Sequence, residues 1–359
     1  MLLARTLAIA LLSACASDSL ANGQTVVVVT GANRGLGALL ATNIARYALD
    51  EGRAIVVVLA CRRTKSCNAT ADGLTRSGLL VDAFSPLDVR NPRHFEQLAR
   101  YLKRTYGGVD AVIANAGFRD DDDPVACCDV NVMGFLNTVD GLVSIMRRPG
   151  RVVAITSSTG HINNLEYLAH QHPAVAWLPN VVKEALRGGR DGILGALRWI
   201  GVHGRNAPPY DISKGLLNAA VFVMANELGA LGIEVSTAMP GFCATRMTAF
   251  RGTDSVRECI ETTMFLAIGE RDADQSRLVH ASLWRSMEQI GWENFFARQR
   301  QPQLADKRLE AWLARAHPSE AALTGAPDEK GSWMDGTDPR GQGARGPTGE
   351  PGEAGSDSW

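Results

Sequence analysis

The segment from Thr25 to Ala48 limits what this chain can fold into more than any other. Thr25-Val26-Val27-Val28-Val29-Thr30 is a β-branched run long enough for one strand buried on both faces. Gly31-Ala32-Asn33-Arg34-Gly35-Leu36-Gly37 follows, and an apolar stripe then recurs at helical spacing through Leu36, Leu40, Ile44 and Ala48. Strand, glycine-rich turn and helix make the first half of a βαβ nucleotide-binding unit. The glycines let backbone approach a pyrophosphate, and the helix start offers unpaired N–H groups and a positive dipole end. Three glycines alone could also serve only a tight turn, so the rest of the chain has to decide.

The chain has 359 residues, 45% of them hydrophobic and 21% charged, which describes a globular protein with room for one large domain or two small ones. A net charge of −1 gives no reason to expect nucleic acid as a partner. The seven cysteines form no CxxC and no zinc pattern, so no metal site is expected. Their spacing leaves the redox compartment open, and the adjacent Cys127 and Cys128 read as plain thiols. Residues 1–22 read as a targeting segment, with Arg5 ahead of an apolar run from Leu7 to Ala16 that is too short for an ordinary transmembrane helix. A secretory signal, an organelle transit peptide, a lipoprotein leader at Leu12-Ser13-Ala14-Cys15 and an uncleaved arm all fit. Organelle or secretory targeting is the expectation, with a cytoplasmic address as the alternative.

Further along, strands and helices alternate. Ala54–Leu59 is a second strand, Leu79–Leu87 a third ending at Asp88-Val89, and Ala111–Ala114 a fourth closed by Asn115-Ala116-Gly117. Helices are expected at Pro92–Tyr106 and Asn131–Arg148, the latter with Arg147-Arg148 at its C-terminal dipole and Pro149-Gly150 as its stop. Val152–Thr156 is a fifth strand running into Ser157-Ser158, and Ile233–Met239 a sixth ending in Pro240-Gly241. Between them lie helical patterns around Ala174–Leu186 and Gly192–Ile200, then a strong helix from Tyr210 to Leu228. The run Asp120–Asp123 lacks calcium-ligand spacing and reads as a solvated loop. This order predicts a doubly wound parallel sheet, a Rossmann-like three-layer αβα sandwich, as the single main domain at residues 23–270. Residues 271–325 form a helical extension, in which Arg277–Ala281 is a last strand or the start of a helix through Trp284, Met287 and Trp292, and Lys307–Ala316 is amphipathic. Residues 326–359 are a Gly/Pro-rich tail whose few G-X-Y triplets are too short for a triple helix.

In such a sheet ligands bind beyond the strand C-termini. The second strand ends in Cys61-Arg62-Arg63 where an acidic residue would select NAD, so Arg62, with Arg34 nearby, predicts the 2′-phosphate of NADP(H). Tyr210 and Lys214 stand one helical turn apart. A phenol titrates near 10 and is a poor acid–base catalyst at neutral pH, but an adjacent ammonium favours its phenolate.

Thr30-Gly31-Ala32-Asn33-Arg34-Gly35-Leu36-Gly37 resembles the TGxxxGxG signature of the short-chain dehydrogenase/reductase family. Asp88-Val89, Asn115-Ala116-Gly117, Asn131, Ser157-Ser158, Tyr210-x-x-x-Lys214 and Pro240-Gly241-x-x-x-Thr245 follow in the family's order, over roughly residues 24–270. The resemblance implies a catalytic tetrad of Asn131, Ser158, Tyr210 and Lys214, with Ser158 taken over Ser157 as the second serine of the pair. It also implies a cofactor lined by Gly31, Asn33, Arg34, Gly35, Leu36, Gly37, Arg62, Asp88, Val89, Asn115, Ala116, Gly117, Tyr210, Lys214, Pro240, Gly241 and Thr245. Two features depart from the common pattern: a long insertion at 159–209, and a short interval between Asn115 and Asn131 that implies an open substrate cleft. The insertion resembles that of the monomeric carbonyl reductases, which implies a monomer. The expected function is NADPH-dependent reduction of a ketone, aldehyde or quinone, with a small-molecule substrate as the partner. The alternatives are a silent NADP-binding scaffold, a protochlorophyllide-reductase-like enzyme, or an alcohol or steroid dehydrogenase.

Overall fold

The computed structural model describes residues 23–271, 283–285, 288–290 and 306–315. The expected targeting segment at 1–22, the strand reading at Arg277–Ala281 and the tail at 326–359 lie outside the described residues. Strands β1 Thr25–Thr30, β2 Ile55–Ala60, β3 Val81–Phe84, β4 Val109–Ala114, β5 Met146–Ile155 and β6 Ile233–Ala238 run parallel. The sheet order is β3-β2-β1-β4-β5-β6, extended by a short parallel β7 at Leu283–Arg285 and an antiparallel β8 at Glu288–Ile290. Trp284 pairs with Ala238 in that edge, which overturns the alternative of a helix running through it.

The valine run shows why the sheet needs two covers. Val26 and Val28 belong to one core layer, Val27 and Val29 to the other, and all four have no exposed surface. Helices α1 Gly35–Asp50 and α2 Thr64–Arg76 cover the second layer. On the first lie α3 Pro92–Tyr106, the short α4 Pro124–Cys128 and α5 Gly134–Leu142. The inserted segment supplies α6 Ile162–Gln171, α7 Leu178–Arg187 and α8 Gly189–His203, which pack on α9 Pro209–Gly229. Trp177 and Trp199, with ring centroids 4.6 Å apart, fill the space within the insertion. On the other side α10 Val256–Ile268 and α11 Lys307–Arg315 complete the cover. Trp312 of α11 meets Tyr47 edge-on at 5.5 Å and donates to Asp50 at 2.8 Å, docking that helix on the end of α1. Among the described residues no helix is long and apolar enough to cross a membrane.

One expected helix is only partly a helix. Instead of running from Asn131 to Arg148, the chain makes a π turn at Asp129–Met133, the helix α5, and a 3-10 turn at Val143–Ile145, and enters β5 at Met146. The Arg147 guanidinium is drawn into the sheet by tertiary partners. It donates to Asp110 at 2.6 Å and to the Gln24 carbonyl at 3.1 Å, while Asp110 also accepts the Val26 N–H at 2.7 Å. Arg147 therefore serves strand β5 and no helix dipole. The third strand is shorter than Leu79–Leu87, and the acidic run is a capping loop in which Asp123 accepts from the Ala126 N–H that opens α4.

Two cysteine pairs that the sequence left unassigned are disulfides, Cys61–Cys67 and Cys243–Cys259. Cys127 and Cys128 are free and buried.

Candidate active site

The glycine turn joins β1 to α1 below the edge where the strands end. Gly31 has φ +67°, and a Cβ there would lie 3.0 Å from the Ala116 Cα. A Cβ at Gly37 would lie 2.4 Å from Asn115 Nδ2 and 2.6 Å from the Gly31 carbonyl, so only glycine lets helix and strand approach this closely. Asn115 fixes the opposite wall, donating from Nδ2 to the Thr30 carbonyl at 2.9 Å and from its own N–H to Thr30 Oγ1, which also accepts from Ala116 N–H. Thr245 stands over the turn, its side chain 3.8 Å from where a Gly35 Cβ would be. Gly241 has φ +84° and leaves room for Asp254, which accepts the Phe242 N–H at 2.8 Å. Beyond it the loop carries the exposed apolar side chains Phe242, Met247 and Phe250.

The first turn of α1 follows Arg34 with no side-chain cap and no acidic residue, and α2 starts after Arg63 in the same way. Both helix ends thus present N–H groups and positive dipole ends next to arginines, a setting that suits phosphate. Asn33 is tied to α2 by donation to Ser66 Oγ at 3.0 Å. Asp88 is held by a two-point pair with Arg90, at 3.0 and 2.7 Å, and that pair, with Arg62 also in electrostatic reach, keeps its carboxyl below the usual range. The Leu87 N–H donates to the Cys61 carbonyl, which brings the ends of β2 and β3 together. Val89 packs against Gly134, where a Cβ would come within 2.6 Å of it.

Four polar side chains gather at the ends of β4, β5 and the start of α9. Lys214 is buried, and its Nζ donates to the Ile155 carbonyl at 2.9 Å. Burial pulls its ammonium down to about 8. Its Nζ stands 5.6 Å from the centroid of the Tyr210 ring. Burial pushes the Tyr210 phenol up to about 12, while a hydrogen bond from the Ser157 hydroxyl and the charge of Arg119 pull the other way. Asn131, buried in the π turn, donates to the Phe118 carbonyl at 2.9 Å and to Ser213 Oγ at 2.8 Å, and accepts the Phe118 N–H at 2.8 Å.

The serine beside the phenol is Ser157, which corrects the reading that placed Ser158 there. Ser158 opens a 3-10 turn, and its carbonyl accepts from the Asn164 side chain. Gly160 fixes this phase: a Cβ there would lie 2.3 Å from the Lys214 carbonyl carbon, so the turn must present its glycine to α9. With that glycine held against α9, the side chain that reaches the phenol is Ser157. Arg119 carried no motif and is legible only in three dimensions.

The fold is an α/β sheet of the dinucleotide-binding type, with Tyr210, Lys214 and Ser157 gathered at its ligand edge. Residues 25–170 match the family model for short chain dehydrogenase. The chain is 25% identical over 270 residues to mouse "Carbonyl reductase [NADPH] 1", covering 71% of this chain and 95% of that protein. It is 27% identical over 273 residues to rat "Carbonyl reductase [NADPH] 3", covering 70% and 93%. Salutaridine reductase from Papaver somniferum has the same fold, with TM-score 0.61 and 19% identity over 73% of this chain and 99% of that one. The chain is thus similar to short-chain dehydrogenases over residues 25–170 and to carbonyl reductases over about 70% of its length, and these likenesses support an oxidoreductase.

Proposed function

We propose that this protein reduces a small carbonyl compound, a ketone, aldehyde or quinone, to the alcohol at the expense of NADPH. The observation that carries the reading is the Tyr210 phenol hydrogen-bonded by Ser157 and neighboured by Lys214, at the strand ends that also hold the glycine turn. The two carbonyl reductases named above act with NADPH by their own names, and this supports the cofactor and substrate class.

The residues present fit the dinucleotide. The glycine turn with the bare start of α1 suits a pyrophosphate, and Arg34 and Arg62 suit a 2′-phosphate. Asp88 and Val89 would flank the adenine, Asn115, Ala116 and Gly117 the adjoining wall, Lys214 the ribose hydroxyls, and Pro240, Gly241 and Thr245 the nicotinamide end. When bound, the group supplies a hydride.

Tyr210 gives its phenolic proton to the carbonyl oxygen as that oxygen gains charge. Ser157 donates its one hydroxyl proton to the phenol oxygen in the free site and would turn it to the developing oxyanion once a carbonyl is bound. Lys214, fixed by the Ile155 carbonyl, favours the phenolate that remains. Asn131 holds the backbone at Phe118 and the start of α9 through Ser213, and would anchor a water that returns a proton.

Oxidation of NADPH followed at 340 nm with a panel of quinones and aldehydes tests the reading, with Tyr210→Phe as the control. Turnover by the wild type and none by the variant is the expected result; tight NADPH binding without turnover of any carbonyl would count against it. The insertion occupies the surface of α9, which supports a monomer, checked by its mass in solution. The two disulfides support an oxidising, non-cytosolic compartment, checked by thiol labelling of the protein as isolated.

A further inference from the structure

Arg119 lies two residues past Gly117, on the stretch whose backbone Asn131 holds at Phe118 from both sides. Its guanidinium carbon stands 5.4 Å from the centroid of the Tyr210 ring, about as near as the Lys214 ammonium at 5.6 Å. Its one ion pair among the described residues is with Asp121 at 3.5 Å, and that carboxylate side chain is 84% exposed. An exposed pair at this distance is weak, so it does little to neutralise the guanidinium.

We propose that Arg119 is a positioning residue for the reaction proposed above, a second cation that acts with Lys214 to favour the phenolate of Tyr210. The two cations differ in chemistry. Lys214 is enclosed, and burial depresses its ammonium to about 8, so its charge fades as the pH rises through that region. A guanidinium keeps its proton throughout the working range and also places a delocalised cation over an aromatic face. Arg119 therefore supplies the charge that Lys214 cannot sustain.

Every element packed about the phenol contributes to the balance. Ser157, after β5, donates to it and lowers its pKa, as does Arg119 from the loop after β4. Asp211 on α9 and Cys127 on α4 act in the opposite sense. Burial raises the Asp211 carboxyl, and Arg119 together with a Thr159 hydrogen bond lowers it. Cys127 is held neutral by burial, which pushes its thiol up to about 11. Arg119 is thus the permanent cation that faces both Tyr210 and Asp211.

The test is an optical titration of tyrosine ionisation in the full chain, with the Tyr210 contribution isolated by subtracting the Tyr210→Phe protein. Arg119→Gln should raise the Tyr210 midpoint by about half a pH unit, the scale of a solvent-screened charge pair. Arg119→Lys should restore most of the wild-type value. In carbonyl reduction the protonated phenol is the active form, so the alkaline limb of kcat/KM should move to higher pH in Arg119→Gln by the same amount. A raised midpoint supports the proposal even in a protein that reduces no carbonyl, because the titration reads the phenol directly. A midpoint that stays in place overturns it, whatever happens to turnover.

Discussion

Asn131 grips the backbone of Phe118 at both of its hydrogen-bonding groups: Nδ2 donates to the carbonyl at 2.9 Å and Oδ1 accepts the N–H at 2.8 Å. A third bond, from Nδ2 to Ser213 Oγ, connects the π turn to the helix that carries Tyr210 and Lys214. One buried amide thus couples the loop after β4 to the start of α9. Asn131→Ala leaves the Phe118 groups without their partner and should cost about 1–3 kcal/mol of stability. Denaturant unfolding would show this loss together with a lower kcat, and unchanged values of both would refute the coupling.

The two neighbouring serines separate cleanly. Ser157→Ala removes the hydroxyl that donates to the Tyr210 phenol and should reduce kcat/KM by about a hundredfold, the scale for one donor to a developing oxyanion. Ser158→Ala should stay within a few-fold of the wild type. Steady-state kinetics with one accepted carbonyl decides between them, and the reverse ranking would restore Ser158 to the role.

The proposed preference for NADPH rests on the arginines that follow β2. Arg62→Glu combined with Arg63→Glu puts two carboxylates where a 2′-phosphate would lie and should shift preference from NADPH toward NADH. The ratio of kcat/KM for the two cofactors measures this, and a constant ratio would place the phosphate elsewhere.

Both disulfides brace segments of the proposed cofactor cleft. Cys61–Cys67 ties the residue before Arg62 to α2, and Cys243–Cys259 ties the loop before Thr245 to α10. For loops of 6 and 16 residues, chain entropy gives about 2 and about 3 kcal/mol of stabilisation. Reduction by a dithiol should lower Tm by several degrees and weaken NADPH binding, as seen by calorimetry and nucleotide titration. An unaltered affinity after full reduction would limit the bridges to a stabilising role.

Lys214 predicts a pH dependence of stability for the cofactor-free protein. Its pKa falls from 10.5 in the free side chain to about 8 in the fold, so between those values the unfolded chain binds more protons than the native one. Its contribution therefore makes the protein more stable as pH rises from 8 toward 10.5, and the penalty for holding the charge is fully present below 8. Lys214→Met should flatten that part of the profile in chemical denaturation at several pH values.

Local pattern is what the sequence could express. The valine run, the glycine turn and the one-turn spacing of Tyr210 and Lys214 each lie within a few residues, so period and motif alone define a doubly wound sheet with its ligand edge. Contacts between distant segments decided the rest. Arg147 joins a strand because Asp110, far back in the chain, takes its charge, and Ser157 reaches the phenol because Gly160 must meet α9. Cys243 finds Cys259, and Arg119 settles over Tyr210, only once the sheet has brought their loops together. Such pairings depend on the register of packed elements, which no short stretch of residues encodes.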